Sequence, residues 1–187
     1  MRARLIRAGR KLFADVGYAD AHTQTIVAMS GKTRGALYHH FGNKTGLFRA
    51  VFEQMQDEII AEVVAAARHD LTPIERIRAG FRAYLDACVR EEFARIVLLD
   101  GPAVLGWSTW HEIDQRHAFA LTRLLIEQAM AAKEIAEAPV EAMTRVLLGA
   151  VTQASLEIGS ADDPAVARRE IGEVVDLILT RLALRPE

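Results

Sequence analysis

Cysteine, proline and aromatic residues are scarce in this sequence of 187 residues. There is one cysteine, there are five prolines, and aromatic residues make up 6% of the chain. A single cysteine excludes an internal disulfide and is typical of a reducing compartment. No apolar run reaches the ~18 residues that a membrane span needs, and no signal-like apolar stretch follows the basic N-terminus. We therefore expect a cytoplasmic protein without membrane association.

Helix-forming residues dominate what is present. Apolar residues make up 51% of the chain and charged residues 26%, the balance of an ordinary globular protein. Apolar residues recur at three- and four-residue steps in about nine segments, which few prolines interrupt. The sequence predicts an all-α fold of about nine helices, with an N-terminal domain over residues 1–50 and a C-terminal domain over residues 51–187.

The two predicted domains differ in charge. Residues 1–50 contain nine Lys and Arg against two Asp, a net charge of +7, whereas the remaining 137 residues carry a net charge of −9. A basic region beside an acidic one is typical of a protein that binds a polyanion at one end only. The alternative is an uneven distribution of charge with no function.

Two short helices are expected at about residues 23–30 and 34–40, separated by Gly31. A first helix is expected to stop at Gly17, and Asn43 is a good N-cap for a long fourth helix. Paired short helices of this kind form a helix-turn-helix, whose second helix enters the major groove of DNA. The residues predicted to face DNA are Lys32, Thr33, Arg34, Gly35, Tyr38 and His39. Those predicted to pack beneath them are Ile26, Val27, Met29, Leu37 and Phe41.

Lys44 falls in the first turn of the predicted fourth helix. A cation at that end opposes the helix dipole, so the position is unfavourable for stability. A phosphate would be favoured at the same helix end, and a lysine there would strengthen its binding. The sequence therefore predicts a phosphate contact by Lys44; a solvated lysine is the alternative.

A set of motifs in the basic region is specific enough to indicate a family. In chain order they are Ile6–Phe13, Gly17-Tyr18, Gly31, Gly35–Phe41, Asn43-Lys44 and Leu47-Phe48. Together they resemble the DNA-binding domain of tetracycline-repressor (TetR) family regulators. The resemblance implies an all-α homodimer with a helix-turn-helix DNA-binding domain and a C-terminal effector-binding and dimerisation domain.

The resemblance also implies roles for individual residues. The implied phosphate contacts are Tyr38 and Lys44. The residues implied to lie near base edges or the DNA backbone are Thr33, Arg34 and His39. The positions that depart from the family pattern are Gly9, Ala21, His22 and Lys32. These departures affect the detailed contacts and leave the motif intact.

Two apolar stripes near the C-terminus, at about residues 140–158 and 165–184, are candidates for a subunit interface. Stripes of this kind usually pack inside one chain. A helix-turn-helix protein that reads two half-sites needs a second copy, however, which favours an isologous dimer through these two helices.

Both tryptophans fall near a Gly-Pro kink, after a helix that carries further aromatic residues. The residues predicted to line an effector pocket are Phe81, Tyr84, Cys88, Trp107, Trp110 and His117. An apolar cavity with a few polar groups is typical of small-molecule sites. The alternative is that the same aromatic residues fill the core.

We expect a transcription regulator, and more specifically a repressor that binds a palindromic operator in double-stranded DNA and is released by a small-molecule effector. The alternative is a DNA-bound adaptor whose C-terminal domain docks a protein partner without an effector. The sequence contains no phosphate-binding glycine loop and no His-Glu-x-x-His metal motif. We therefore expect no enzymatic activity, no cofactor and no metal.

Overall fold

The computed structural model describes residues 1–183, apart from the side chain of His117. This part of the chain is helical and contains no strand, although one isolated bridge pairs Ile135 with Ala183. The α-helices are α1 Arg2–Asp20, α2 Thr23–Ser30, α3 Arg34–Phe41, α4 Lys44–Ala66, α5 Pro73–Cys88, α6 Glu91–Phe93, α7 Gly101–Leu105, α8 Trp107–Ala131, α9 Val140–Ser160 and α10 Pro164–Leu182. The predicted all-α fold is confirmed. None of these helices is both long enough and apolar enough to cross a membrane.

Packing divides the chain into two compact units. The N-terminal unit contains Met1–Asp57 and Arg90–Ile113, and the C-terminal unit contains Glu58–Val89 and the residues from Asp114 onward. The boundaries between them fall inside α4, between α5 and α6, and inside α8. The units therefore do not follow a simple division of the chain at residue 50, because the segment from Arg90 to Ile113 packs with the N-terminal helices.

Aromatic side chains form much of the core of the N-terminal unit. The ring of Phe48 on α4 lies 5.2 Å from the rings of Phe13 and Tyr18 on α1, edge to face in both cases, which is a favourable arrangement of aromatic quadrupoles. Trp110 is fully buried, and its indole nitrogen donates a hydrogen bond of 2.7 Å to the carbonyl of Val97.

A glycine interrupts α1 without ending it. Gly17 has a φ of +77°, a conformation that a side chain would strain. Helical geometry stops at Gly17, as predicted, and a short second helical segment then continues to Asp20. The Tyr18 N–H that the break releases donates a hydrogen bond of 2.7 Å to the carboxylate of Asp100.

The segment between α6 and α8 is not a regular α-helix. It contains a π-helical stretch, Ala94–Asp100, directly before α7. The next residue, Gly101, has no room for a side chain. A Cβ there would lie 2.8 Å from Trp110 Cδ1 and 3.1 Å from Phe52 Cε2. The glycine allows the indole to approach the backbone closely.

Side-chain caps begin two helices of the C-terminal unit. The Thr72 hydroxyl accepts from the Glu75 N–H, and the Glu75 carboxylate accepts from the Thr72 N–H, which forms a capping box. Asp163 accepts from the first two N–H groups of α10 at 3.1 and 3.0 Å. The core of the C-terminal unit includes Leu85, Ile126, Ile158 and Leu179.

Ion pairs connect α5 with α10 in the same unit. Arg82 donates to Asp176 at 2.6 Å, and Arg168 donates to Asp86 at 2.8 Å. Both pairs are partly exposed to solvent, so each contributes at most about 1 kcal/mol to stability.

Candidate nucleic-acid interface

The turn between α2 and α3 has the geometry of a helix-turn-helix. Gly31 is left-handed, with a φ of +62°, and its N–H caps the end of α2. Thr33 then caps α3, because its hydroxyl oxygen accepts a hydrogen bond of 3.2 Å from the Ala36 N–H. The same hydroxyl keeps its own proton, which makes it a donor at the start of α3.

The outer face of α3 carries the side chains that the sequence predicts there. Arg34, Tyr38 and His39 are exposed, whereas Leu37 between them is fully buried. The Arg34 guanidinium carbon lies 5.4 Å from the centre of the Tyr38 ring, and its Nη2 donates a hydrogen bond of 3.4 Å to the Tyr38 hydroxyl. The two side chains thus form an exposed cationic and aromatic pair on one face of the helix.

Gly35 on the same face is not required by the packing of the protein. A Cβ at this position would meet only Thr33 Oγ1, at an ordinary contact distance of 3.9 Å. Glycine in a helix costs about 1 kcal/mol relative to alanine. The absence of a side chain therefore costs stability without relieving an internal clash, which is typical of a surface that another molecule approaches closely.

Lys44 has an internal role that the sequence did not indicate. Its Nζ donates to the carbonyls of Tyr18 and Ala19 at 2.7 and 3.3 Å and lies 4.2 Å from the centre of the Tyr18 ring. The ammonium therefore stabilises the C-terminal end of α1. An ammonium has three donors, so one remains for an external anion.

One predicted packing residue of the helix-turn-helix faces solvent instead. Met29 is 43% exposed, and the buried face of α2 passes through Ile26 and Ser30. Ile26 and Ser30 lie one helical turn apart, which places Met29 on the side of α2. Lys32, in the turn, is half-buried.

Three of the predicted effector residues lie on α5 in the C-terminal unit. Phe81 and Cys88 are buried, and Tyr84 is half-buried. The Tyr84 hydroxyl donates to Asp114 at 3.2 Å. Gln115 donates to the other oxygen of Asp114 and to the Thr152 hydroxyl, so the network joins α5, α8 and α9.

The environment of this network disfavours ionisation of its neutral members. Burial, and then the neighbouring Asp114 carboxylate, raise the pKa of Tyr84 well above its usual value. Burial also raises the pKa of the Cys88 thiol, whose Sγ lies 3.2 Å from the carbonyl of Tyr84. The cluster therefore presents a neutral phenol and a neutral thiol beside a buried carboxylate. Asp114 lies one helical turn after Trp110 and is not among the predicted pocket residues.

The two predicted tryptophans lie in the N-terminal unit. Trp110 has the burial and the hydrogen bond of a core residue, the alternative that the sequence left open. Trp107 is 56% exposed and stacks on His111, with ring centres 5.8 Å apart and planes 7° apart. The side chain of His117 lies outside the described part of the structure.

Two family models match the chain. One, described as bacterial regulatory proteins of the tetR family, matches residues 5–51. The other, described as a tetracyclin repressor-like C-terminal domain, matches residues 74–182, which is more than half of the chain.

Individual proteins are similar over nearly the whole length. The structure of a TetR-family transcriptional regulator from Pectobacterium atrosepticum is 34% identical, has a TM-score of 0.89, and matches over 100% of this chain and 95% of its own. A transcriptional repressor of Mycobacterium tuberculosis is 27% identical over 95% of this chain and 90% of its own. FadR of Bacillus subtilis, solved with stearoyl-CoA, shares the fold at 15% identity, with a TM-score of 0.74 over 94% of this chain and 97% of its own. Several other curated relatives are matched over only about a third to a half of their length.

Proposed function

The chain belongs to the TetR family of transcription regulators, and we propose that it represses transcription by binding a palindromic operator as a homodimer. A small-molecule effector releases it. The N-terminal region, residues 1–50, binds DNA, and residues 51–187 bind the effector and the second subunit. The protein acts in the cytoplasm, without enzymatic activity or a cofactor.

The observation that carries the DNA-binding role is the exposed face of α3. It offers a guanidinium, two hydroxyls and an imidazole around a glycine that the fold does not require. Arginine is suited to guanine edges in the major groove, and hydroxyls are suited to phosphates. We assign base contacts to Arg34 and phosphate contacts to Tyr38 and Lys44. The residues that complete the interface are Lys32, Thr33, Gly35 and His39.

The proposed dimer rests on apolar side chains that a single chain leaves exposed. Val146 on α9 is 70% exposed, and Val174 and Leu177 on α10 are 55% and 54% exposed. Apolar side chains grouped on adjacent helices are typical of protein interfaces. A two-fold partner would cover them and place two α3 helices for successive major grooves.

The effector site is proposed to involve the polar cluster of α5. Phe81, Tyr84 and Cys88 provide apolar surface with a few polar groups, as small-molecule sites do, and the FadR structure contains an acyl-CoA ligand in a protein of the same fold. A pocket role for Trp107, Trp110 and His117 stays a prediction. Effector binding would favour a state whose two α3 helices no longer fit the operator.

The test begins by selecting bound duplexes from a random DNA pool and comparing the recovered operator with its scrambled sequence by fluorescence anisotropy. We expect a palindromic consensus, tight binding to it, and much weaker, steeply salt-dependent binding to the scramble. Binding by Arg34→Ala should have a relaxed sequence preference. Failure of the wild-type protein to bind either duplex at low salt would reject the DNA-binding role.

The effector is sought separately, by screening small molecules for thermal stabilisation and then for release of the operator. A ligand that stabilises the protein and weakens operator binding supports the proposed switch. The exposed Trp107 favours one other candidate function, a DNA-bound adaptor that docks a protein through this surface. If no ligand changes operator affinity and Trp107→Ala abolishes regulation while DNA binding is intact, the adaptor is correct.

A further inference from the structure

A second basic surface lies along α1, outside the helix-turn-helix. Arg4, Arg7 and Lys11 are exposed and follow one another at intervals of three and four residues. This spacing places all three on one face of the helix. With a rise of about 1.5 Å per residue, they form a row roughly 10 Å long.

The row borders an open groove of about 400 Å³. The side of the groove opposite the arginines is formed by the C-terminal end of α2, and its lining residues are Arg4, Arg7, Ala8, Lys11, Met29 and Ser30. The Ser30 hydroxyl donates to the carbonyl of Val27 inside α2 at 2.9 Å. The lining is therefore three cations beside small and apolar side chains, with no acidic residue among them.

The cations of α1 differ in how the protein uses them. Arg10 makes two hydrogen bonds of 2.8 Å to the Glu92 carboxylate, and Lys11 lies 3.2 Å from Asp15. Within the part of the chain that the structure describes, neither Arg4 nor Arg7 has an ion pair or a side-chain hydrogen bond. Two guanidinium groups thus face one groove without an internal partner.

The groove lies beside the chain that enters α3. Met29 and Ser30 are the last residues of α2, and Gly31 follows them in the turn that leads to the DNA-facing residues. A row of guanidinium groups matches a row of phosphates, because each group can donate two parallel hydrogen bonds to phosphate oxygens. An open groove lined by three cations suits a continuous backbone better than a single small anion.

We propose that the groove between α1 and the end of α2 binds the sugar–phosphate backbone of DNA next to the half-site read by α3. This inference rests on the proposed DNA-binding function and extends its footprint beyond the helix-turn-helix. The contact is independent of sequence, because phosphates carry no base information. Arg4 and Arg7 supply affinity and salt dependence, whereas α3 supplies selectivity.

The experiment compares wild-type protein, Arg4→Ala/Arg7→Ala and Arg116→Ala/Arg123→Ala on a random-sequence duplex and on the selected operator. The control pair removes the same two charges from exposed positions of α8. Affinity is measured by anisotropy between about 50 and 200 mM salt. Each phosphate contact contributes about 0.9 to the slope of log K against log salt, or roughly eightfold in affinity at 0.1 M relative to 1 M.

The α1 variant is expected to reduce the salt slope by about 1.8 on both duplexes and to keep its preference for the operator. The control should bind like the wild type, and Arg4→Lys/Arg7→Lys should recover most of the slope because the charges remain. All the substituted side chains are exposed, and equal melting temperatures establish that folding is unchanged.

Equal salt slopes for the wild type and the α1 variant would overturn the proposed DNA contact in the groove, and would leave the proposed DNA binding through α3 intact. Equal losses in the α1 variant and the α8 control would also overturn it, since the effect would then be one of net charge. If Arg34→Ala and Lys44→Ala weaken operator binding, the proposed DNA-binding function stands even when one of these two results overturns the groove contact. Absence of wild-type binding to any duplex would overturn both proposals.

Discussion

The C-terminal unit uses Arg82 and Arg168 in ion pairs between two helices, whereas the N-terminal unit leaves Arg34 and Arg7 exposed without an ion pair among the described residues. In the C-terminal unit, Arg82 and Arg168 hold α5 to α10 through carboxylates on the facing helix. In the N-terminal unit, the Arg34 guanidinium contacts the ring and hydroxyl of Tyr38. Neither Arg34 nor Arg7 has an ion pair among the described residues. A cation that already forms an ion pair inside the protein must break that pair to bind an external anion. An exposed cation without an ion pair loses few contacts when it binds one. Arg82 and Arg168 therefore maintain the fold, whereas Arg34 and Arg7 are available for binding.

The largest effect is expected from Arg34→Ala, which removes an unpaired cation from the N-terminal unit. Operator binding should weaken by about 1–3 kcal/mol and selectivity at one base position should relax, with no change in the unfolding free energy. Anisotropy with the operator and single-base variants measures the first effect, and thermal melting measures the second. A large fall in melting temperature would place Arg34 among the residues that maintain the fold.

Lys44→Ala tests a cation that belongs to both groups. Loss of its phosphate contact should lower the salt slope by about 0.9 on every duplex. Loss of its hydrogen bonds to the carbonyls of Tyr18 and Ala19 should lower the unfolding free energy by about 1 kcal/mol. Lys44→Arg is the charge-conserving control. A change in stability with an unchanged salt slope would make Lys44 a purely structural residue.

Gly35→Ala should raise the stability of the protein and lower its affinity for the operator. The methyl group has room in the protein, so helix propensity should raise the unfolding free energy by up to about 1 kcal/mol. The same methyl group should crowd the DNA and weaken operator binding by roughly fivefold, or about 1 kcal/mol. Chemical denaturation and anisotropy on one preparation check both changes. Unchanged affinity would show that no close approach occurs at this position.

The smallest effect is expected from Asp176→Asn in the C-terminal unit. It removes the charged partner of Arg82, and because the pair is partly exposed the loss of stability should be below about 1 kcal/mol. Urea denaturation at fixed protein concentration, at low and high salt, measures it, and the difference from the wild type should shrink as salt increases. Operator affinity should not change. A loss of DNA binding would contradict the division of roles between the units.

Local chemistry made part of this molecule predictable. Thr72 and Asp163 cap the helices that they precede, and Asn43 accepts from the Gly46 N–H at 2.8 Å, each as expected from residue type alone. These features depend on neighbours within three residues. The exposed residues of α3 followed from helical spacing in the same way.

Features that depend on distant residues did not follow from the sequence. The carbonyls that Lys44 stabilises precede it by 25 and 26 residues, and Tyr84 meets Asp114 across 30 residues. The π-helical stretch Ala94–Asp100 also involves a distant residue, since the Val97 carbonyl accepts a hydrogen bond from the indole of Trp110, 13 residues later. Helical spacing therefore predicts the exposed face of α3, and it does not predict contacts between residues that lie far apart in the chain.

The composition of the N-terminal unit limits how the protein can be engineered. A DNA-reading module is usually transferred by cutting the chain after its last helix, yet this unit uses two stretches of sequence separated by the 32 residues of Glu58–Val89. A fragment ending at Asp57 would lack Trp110, and with it the indole that packs against Phe52 and Gly101. Chimeric regulators built from this protein should therefore carry both stretches, joined by a short designed bridge in place of the intervening segment.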